Sequence, residues 1–457
     1  MTFALPESPA PGSGRKLLLI NPALTQSGRK RLSVGGLATM EPLGLASVAA
    51  LTPPGWEIRI ADEVVEAIPS EREFSPDLVG ITSLTPTAPR AYEIAAAFRA
   101  RGLPVVMGGM HATLCPDEVA AHADAVVLGE AEGAWPGVIR DFENGALRSR
   151  YEGGAPGLAG LLPPRRDLYR RRYRVSLVSA SRGCRYRCEF CAIWKFEAGR
   201  FRTRPIDEVL AELPHVPRAS VMLFTDDNIM TDRDHSLALF RAIAGDRSLR
   251  RRYAVQASLD IADDDELLDA LKASGCFAVL VGLESVSEAT LKAMRKGVNL
   301  RVGVEHYREK IDRLHARGLL VAATFIFGSD GDEPDIFERT AGFVLDAGVD
   351  LAHFGLLVPY PGTDVFERLE REGRLLLTDL PAGYAMLDAN HAAFLPHSMS
   401  PHDAEDGLVR ATAAIARWPV AVRRAFRTWH DTGGFSAAAI SLLWTRTGLH
   451  RRVFGVK

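Results

Sequence analysis

The chain has 457 residues, 47% of them hydrophobic and 25% charged, with a formal net charge of −2. That length exceeds what one ordinary core supports, so two or three domains are expected, and the near-neutral balance gives no basic footprint for a nucleic-acid partner. No apolar run reaches the roughly 18 residues of a spanning helix, and the opening M-T-F-A-L-P-E-S-P-A-P-G-S-G has neither a basic nor an apolar leader region, so a cytoplasmic protein is expected. Five cysteines, three of them clustered, make a poor disulfide framework and fit a reducing compartment. Cys115 and Cys276 then read as small buried hydrophobes.

The first half alternates strand and helix patterns. Apolar runs predict strands at 16–21, 56–61, 77–83, 104–107 and 125–128, with helices at 42–51 and 91–101 between them. This alternation predicts a doubly wound, Rossmann-like α/β domain over residues 1–150, and such sheets bind ligands outside the carboxyl ends of their strands. Small and hydroxylated residues collect at those ends: Asn21-Pro22, Ser83 and Thr85, and Gly108-Gly109-Met110-His111. They would let a backbone come close to a bulky polar ligand, or they make ordinary turns. No G-x-G-x-x-G or G-x4-G-K-[ST] occurs, so neither a dinucleotide nor a nucleoside triphosphate is expected.

Residues 151–173 (Y-E-G-G-A-P-G-L-A-G-L-L-P-P-R-R-D-L-Y-R-R-R-Y) read as a Gly/Pro-rich linker that turns basic. From residue 174 the alternation resumes, with strands predicted at 175–179, 220–225, 253–258, 278–283, 319–327 and 351–358. Helical patterns fall between them at 206–213, 234–243, 263–273, 302–317 and 335–347. Six such repeats are two short of a full eightfold barrel, so a partial (β/α)6 barrel of the TIM type is expected over 174–372. Catalytic groups in that architecture lie on the loops after strand C-termini. The loop after the first strand carries Cys184, Cys188 and Cys191 in a C-x3-C-x2-C array.

Three thiolates in one loop suit iron-sulfur ligation, because cysteine sulfur is soft and each cluster iron is tetrahedral. Three cysteines hold only three irons of a 4Fe-4S cube, which leaves one iron open to a ligand that is not protein. Structural zinc wants four ligands, and no second cysteine or histidine pair is evident. The other strand ends offer Asp226 and Asp227, Gln256, Glu284 and Ser285 as hydrogen-bond acceptors for an ammonium or for ribose hydroxyls, although either aspartate could instead cap the next helix. Residues 373–457 form a small, mostly helical C-terminal region. Its basic and aromatic run from Arg417 to Trp429, continued by Arg446, Arg451, Arg452 and Lys457, reads either as a helix packed on the barrel or as an amphipathic segment on an anionic membrane surface.

The motif C-x3-C-x-aromatic-C, with Phe190 as the aromatic, resembles that of the radical S-adenosylmethionine (SAM) enzymes. The resemblance implies that the open iron is chelated by the amino and carboxylate groups of SAM. It also implies that Asp226 and Asp227, standing where the family has Gly-Gly-Glu, meet the SAM ammonium. Glu284 and Ser285 resemble the fourth-strand ribose and carboxylate contact, and Leu357 and Val358 the adenine shelf. Residues 1–150 resemble the cobalamin-binding domain of one large subfamily through Pro42-Leu43-Gly44-Leu45, through Gly108, Gly109 and His111 in G-G-x-H-A-T, and through Glu130 in G-E-x-E. The D-x-H-x-x-G signature of a lower axial histidine is absent, so the cofactor is expected without a protein imidazole on cobalt.

By this resemblance the chain is a cobalamin-dependent radical SAM C-methyltransferase. One SAM would methylate cobalamin; a second, reductively cleaved at the cluster, would give a 5'-deoxyadenosyl radical that activates a substrate carbon to receive the methyl group. The expected partners are a small-molecule substrate, lipid-like or porphyrin-like, and a reductant such as flavodoxin or ferredoxin. Tyr384, Asp388 and His391 are the candidate catalytic groups near substrate. A cyclase or oxidoreductase with the same cofactors, and a non-catalytic cobalamin or iron-sulfur protein, are the alternatives.

Overall fold

The computed structural model describes residues 14–26, 29–30, 39–218 and 220–432. They form two compact units: one from the residues up to Val175 with Lys195–Glu208 and Thr378–Ala385, the other from Ser176–Trp194, Val209–Leu377 and the residues from Met386 on.

Among its described residues the first unit carries a six-stranded sheet of β1 (Lys16–Asn21), β2 (Glu57–Asp62), β3 (Leu78–Thr82), β4 (Val105–Gly108), β5 (Ala125–Gly129) and β6 (Arg150–Gly154). The order is β2-β1-β3-β4-β5-β6 and every neighbouring pair is parallel. Helices α1 (Leu43–Leu51), α2 (Ala88–Arg99), α3 (Met110–Leu114), α4 (Pro116–His122) and α5 (Trp135–Glu143) alternate with the strands. Continuous apolar runs are what a sheet covered on both faces requires, and Leu17 through Ile20 are each at most 1% exposed. Because β1 sends the chain to β2 on one side and β3 pairs on its other side, the topological switch lies between β1 and β3, beside Asn21 and Ser83. The sixth strand was not anticipated. It overlaps the start of the expected linker at 151, and its run R-Y-E-G-G has only Tyr151 as a buried anchor, too weak a pattern to read as a strand.

The second unit carries β7 (Val175–Val178), β8 (Val221–Phe224), β9 (Tyr253–Ala257), β10 (Cys276–Glu284), β11 (Leu320–Phe327) and β12 (Leu351–Leu356), side by side in chain order and parallel from β8 to β12. This is the partial barrel. Its helices are α6 (Arg233–Gly245), α7 (Asp265–Ser274), α8 (Glu288–Ala293), α9 (Gly297–Val302), α10 (Tyr307–Ala316), α11 (Ile336–Ala347) and α12 (Asp364–Arg371). Local chemistry sets their ends: Asp264 accepts the Leu267 N–H at 3.0 Å before α7, and Gly275, at φ 109°, ends it in the left-handed conformation. Along the strands burial alternates. Val321, Ala323, Phe325 and Phe327 are buried, whereas Ala322, Thr324 and Ile326 are not.

Two C-terminal helices complete this unit, α13 (Pro401–Ala416) and α14 (Trp418–Thr432). Gly407 of α13 lies against the Phe337 ring of α11, where any Cβ would collide. On α14, Thr428 donates to Asp350 and Arg427 Nη1 donates to the Asp346 carbonyl at 3.2 Å, so this part of the tail packs on the barrel. Val422, Phe426 and Trp429 remain exposed. Arg446, Arg451, Arg452 and Lys457 lie outside the described residues. Among those described, no helix is long and apolar enough to cross a membrane.

Candidate active site

The loop of Cys184, Cys188 and Cys191 is tied down from several directions. Cys191 donates its N–H to the Cys188 carbonyl at 3.1 Å, and Glu189 donates its N–H to the Met294 carbonyl at 3.0 Å and accepts the Val365 N–H at 3.1 Å. The Glu189 carboxylate is held by Arg368 of α12, with Nε to Oε1 at 2.6 Å, and Arg368 also pairs with Asp330 at 2.7 Å. All three thiols are half-buried. Burial pushes the Cys188 thiol up to about 11, with Lys296 opposing, and burial raises Cys191 while the Ile193 and Trp194 backbone opposes. Three soft thiols on one loop fit a cluster that displaces their protons on loading. Phe190 packs with Leu357, Val365, Leu369 and Phe394 in one apolar group, so the motif aromatic and the expected adenine shelf at Leu357 stand together; Val358 is half-buried.

Asp226 and Asp227 lie against the segment that leads into the cysteines. Asp226 is 3% exposed; its two oxygens accept the Ser181 hydroxyl at 2.5 Å and the Ala180 N–H at 3.1 Å. Asp227 accepts the Gly183 N–H at 2.8 Å. Both carboxylates therefore fasten the segment leading into the cysteines. Neither caps a helix: Asn228 accepts the Met230 N–H and Asp232 the His235 N–H. Burial raises both carboxyls, Asp226 to about 6. Gln256 is half-buried and donates to the Asp226 carbonyl at 3.4 Å.

Glu284 ends β10 at φ 61°, a left-handed conformation rare for a residue with a side chain. Asn299 holds this segment by donating to the Gly282 and Leu283 carbonyls, both at 3.1 Å. The Glu284 carboxylate accepts from Lys296 Nζ at 2.7 Å and from Thr324 Oγ1 at 3.3 Å. Ser285 is buried and accepts the Ser287 N–H at 3.1 Å, so it shapes the turn. Lys296 and Arg368 carry no signal in the sequence, since a single cation on a polar loop or on a charged helix face has no periodic or motif mark.

Asp388 and His391 come together in the second unit. Ala389 accepts the Leu356 N–H at 2.8 Å, which sets the pair at the carboxyl end of β12, and His391 Nδ1 lies 3.0 Å from Asp388 Oδ1. Burial works against the ionised Asp388, but bonds from His391 and Asn390 outweigh it and hold the carboxyl below its ordinary value. Tyr384 belongs instead to the first unit, 3% exposed, with its hydroxyl on Glu118 at 2.7 Å.

In the first unit the strand ends sort into two kinds. Ser83 is buried, and its hydroxyl oxygen has no hydrogen-bond partner among the described residues. Gly109 has φ 97°, and a Cβ there would stand 2.7 Å from Thr82 Oγ1 and 3.0 Å from the Ser83 carbonyl, so only glycine permits the approach. Pro42 and Leu43 are half-buried and Gly44 is open, while Leu45 belongs to the core. An unsatisfied hydroxyl at the switch point, next to a glycine cradle after Gly108, fits a large polar cofactor such as cobalamin.

His111 and Glu130 are of the other kind, each held by side chains of its own unit. His111 is fully buried, with Nε2 2.9 Å from the Tyr92 hydroxyl and Nδ1 3.2 Å from Thr85 Oγ1. Tyr92 in turn donates to Glu118 at 2.7 Å, and the His111 ring meets the edge of Tyr384 at 5.1 Å between centroids. Glu130 is gripped by both terminal nitrogens of Arg202, each at 2.8 Å. Cys276 is buried as expected, whereas Cys115 is half-buried and burial pushes its thiol up to about 11. Asp330, Glu372 and His397 are close enough to share a cation, but Arg368 and Arg374 already pair with these carboxylates, which makes an ion-pair network.

An open six-stranded parallel barrel with three cysteines after its first strand, joined to a doubly wound domain with a glycine cradle at its switch point, defines the class of radical enzymes that carry a second, cobalamin-type domain. The family comparisons agree with it. The radical SAM superfamily model matches residues 178–344 and the B12-binding domain model matches residues 36–139. The bacteriochlorophyllide d C-12(1)-methyltransferase of Chlorobaculum tepidum is 30% identical over 78% of this chain and 79% of its own, and the hopanoid C-2 methylase of Rhodopseudomonas palustris is 25% identical over 86% and 75%. The radical SAM methyltransferase TsrM from Kitasatospora setae, solved with cobalamin and a [4Fe-4S] cluster, shares the fold at a TM-score of 0.66 and 18% identity, covering 89% of each chain. The chain belongs to the cobalamin-dependent radical SAM family, a radical SAM enzyme whose cofactors are a 4Fe-4S cluster, SAM and cobalamin.

Proposed function

We propose that the protein is a C-methyltransferase that moves a methyl group from SAM by way of cobalamin onto an unactivated carbon of a large, mostly apolar substrate of the tetrapyrrole or polycyclic-lipid class. The observation that carries this reading is the presence, in one chain, of the three-cysteine barrel loop and the cobalamin-type cradle, at 30% identity to a bacteriochlorophyllide methyltransferase. When bound, the cluster with SAM supplies a strong hydrogen-atom abstractor and cobalamin supplies the methyl carrier.

The residues of the chain do the rest. Cys184, Cys188 and Cys191 hold three irons. Asp226 and Asp227 fix the segment before them. Glu284 and Gln256 present oxygen atoms at the strand ends to SAM, and Phe190 with Leu357 and Val358 offers an apolar surface to its adenine. Ser83, Gly108 and Gly109 cradle cobalamin, and Pro42, Leu43 and Gly44 at the start of α1 offer further contacts to it. His391, held on Asp388, is the polar group offered to substrate at the carboxyl end of β12.

The test is to incubate the reconstituted protein with methyl-labelled SAM, a low-potential reductant such as flavodoxin or ferredoxin, and a chlorophyllide-type substrate. Label in the product with formation of 5'-deoxyadenosine is expected. An altered product without label would replace methyl transfer by a cyclase or oxidoreductase outcome. The outward Val422, Phe426 and Trp429 of α14, interleaved with Arg423, supply an apolar and basic face for peripheral contact with a membrane holding such a substrate. Flotation of the chain with anionic liposomes, lost on truncation before Arg417, checks it.

A further inference from the structure

The pair of Lys296 and Glu284 has a place that SAM binding alone does not explain. Lys296 Nζ lies 2.7 Å from Glu284 Oε1, and the two side chains are only 15% and 7% exposed. The same ammonium stands 5.8 Å from the centroid of Phe190, the residue immediately before Cys191. Gly282 makes the room, because a Cβ there would come within 2.9 Å of Nζ. The turn carrying Lys296 is stitched to the cysteine loop: Met294, two residues earlier, accepts the Glu189 N–H, and Lys296 donates its own N–H to the Leu291 carbonyl at 2.9 Å. The cation is thus built into the wall of the cluster site, unlike Arg185 and Arg187 of the loop itself, which are exposed.

An enclosed ion pair is weak as a stabiliser, since removing two charges from water offsets most of their attraction. Beside a redox centre it has another effect. Reduction adds a negative charge to the cluster, and a nearby cation shielded from solvent favours the state with that charge. The Glu284 carboxylate also accepts from Thr324 at 3.3 Å, so its charge is shared with a second partner while the ammonium stands over Phe190.

We propose that Lys296 is a positioning residue for Glu284 and a fixed positive charge that raises the reduction potential of the cluster. It holds Glu284 in its left-handed conformation, and through its charge it eases the electron transfer that must precede SAM cleavage. This rests on the three cysteines holding the cluster, which iron content in Cys188→Ala tests separately.

The experiment is a redox titration of the reconstituted full-length protein, followed by the electron paramagnetic resonance of the reduced cluster. Lys296→Met shifts the midpoint to more negative potential at unchanged iron and sulfide content, and Lys296→Arg restores it. Glu284→Gln, which leaves the cation unneutralised, shifts it the other way. Equal midpoints in Lys296→Met and the unsubstituted protein overturn the proposal, as does a negative shift in Glu284→Gln. If Lys296→Met takes up no cluster, Glu284→Gln decides: a positive shift supports the charge effect and no shift overturns it.

Discussion

The two units are built on sheets of the same strand number and the same parallel sense, yet they treat their faces differently. In the first, β1, β3, β4 and β5 are buried almost without interruption, because helices cover both faces and leave only the strand ends for a ligand. In the second, burial alternates, since the curved sheet turns one face to helices and keeps the other open. On the open face Thr324, Glu284, Gln256 and His353 occur where a closed sheet would place valine or leucine. One fold therefore offers a rim and the other a lined wall. A cofactor that needs a cradle suits the first, and a reaction that must surround its substrate suits the second.

This contrast breaks most completely at the wall. Cys184→Ala, Cys188→Ala or Cys191→Ala removes a ligand that no neighbour replaces, and formation of 5'-deoxyadenosine is expected to fall below detection while cobalamin uptake, read from the visible spectrum, stays intact. Loss of cobalamin in these variants would mean that the two sites are not independent. At the rim the largest expected effect is that of Gly109→Ala. Its φ of 97° and the 2.7 Å approach to Thr82 Oγ1 combine left-handed strain with overlap, which together destabilise by about 2–4 kcal/mol. Thermal unfolding of the apoprotein measures it, and a loss under about 0.5 kcal/mol would show that the cradle is not rigid.

The same difference governs what was legible in the amino-acid order. Strands buried on both faces announce themselves as apolar runs, as K-L-L-L-I-N does at β1, and the spacing C-x3-C-x2-C is dense enough to specify cluster chemistry with no coordinates. Both sheets were placed this way. Hidden were the contacts between residues far apart in sequence: that Asp226 serves Ser181 and Ala180, that Arg368 grips Glu189, and that Lys296 reaches Glu284. His111 lies in a ligand-like motif, G-G-x-H, and its ring packs inward on Tyr92 and Thr85, which the motif does not tell. Motif spacing reports where the backbone goes; which way a side chain points depends on partners that spacing does not contain.

Asp226 offers a smaller and pH-dependent effect at the wall. Burial raises its carboxyl from 3.8 to about 6, so the fold favours the protonated form. The stability this form contributes is fully present below the unfolded value and is lost as pH rises through about 6, leaving a penalty on the order of 2–3 kcal/mol above it. Asp226→Asn keeps an acceptor for Ser181 or Ala180 without the charge. Its apoprotein is expected to match the unsubstituted chain near pH 4 and to be the more stable by about that amount at pH 8. Denaturant midpoints at the two pH values check this, and a gap that does not widen with pH would mean that Asp226 titrates normally.

The gentlest change falls on the rim, at Ser83. Its buried hydroxyl oxygen lacks a partner in the described structure, and an unsatisfied buried polar atom costs about 1–3 kcal/mol unless something satisfies it. Cobalamin is the proposed partner, so Ser83→Ala is expected to move two measurements in opposite directions. The apoprotein gains about 1 kcal/mol in unfolding free energy, because the orphan is gone, while cobalamin affinity falls roughly fivefold, because one hydrogen bond worth about 1 kcal/mol is lost. A purely structural serine would lower both or neither. Equilibrium unfolding without cofactor and spectral titration with cobalamin give the two numbers, and the opposite signs are what tie this hydroxyl to the ligand.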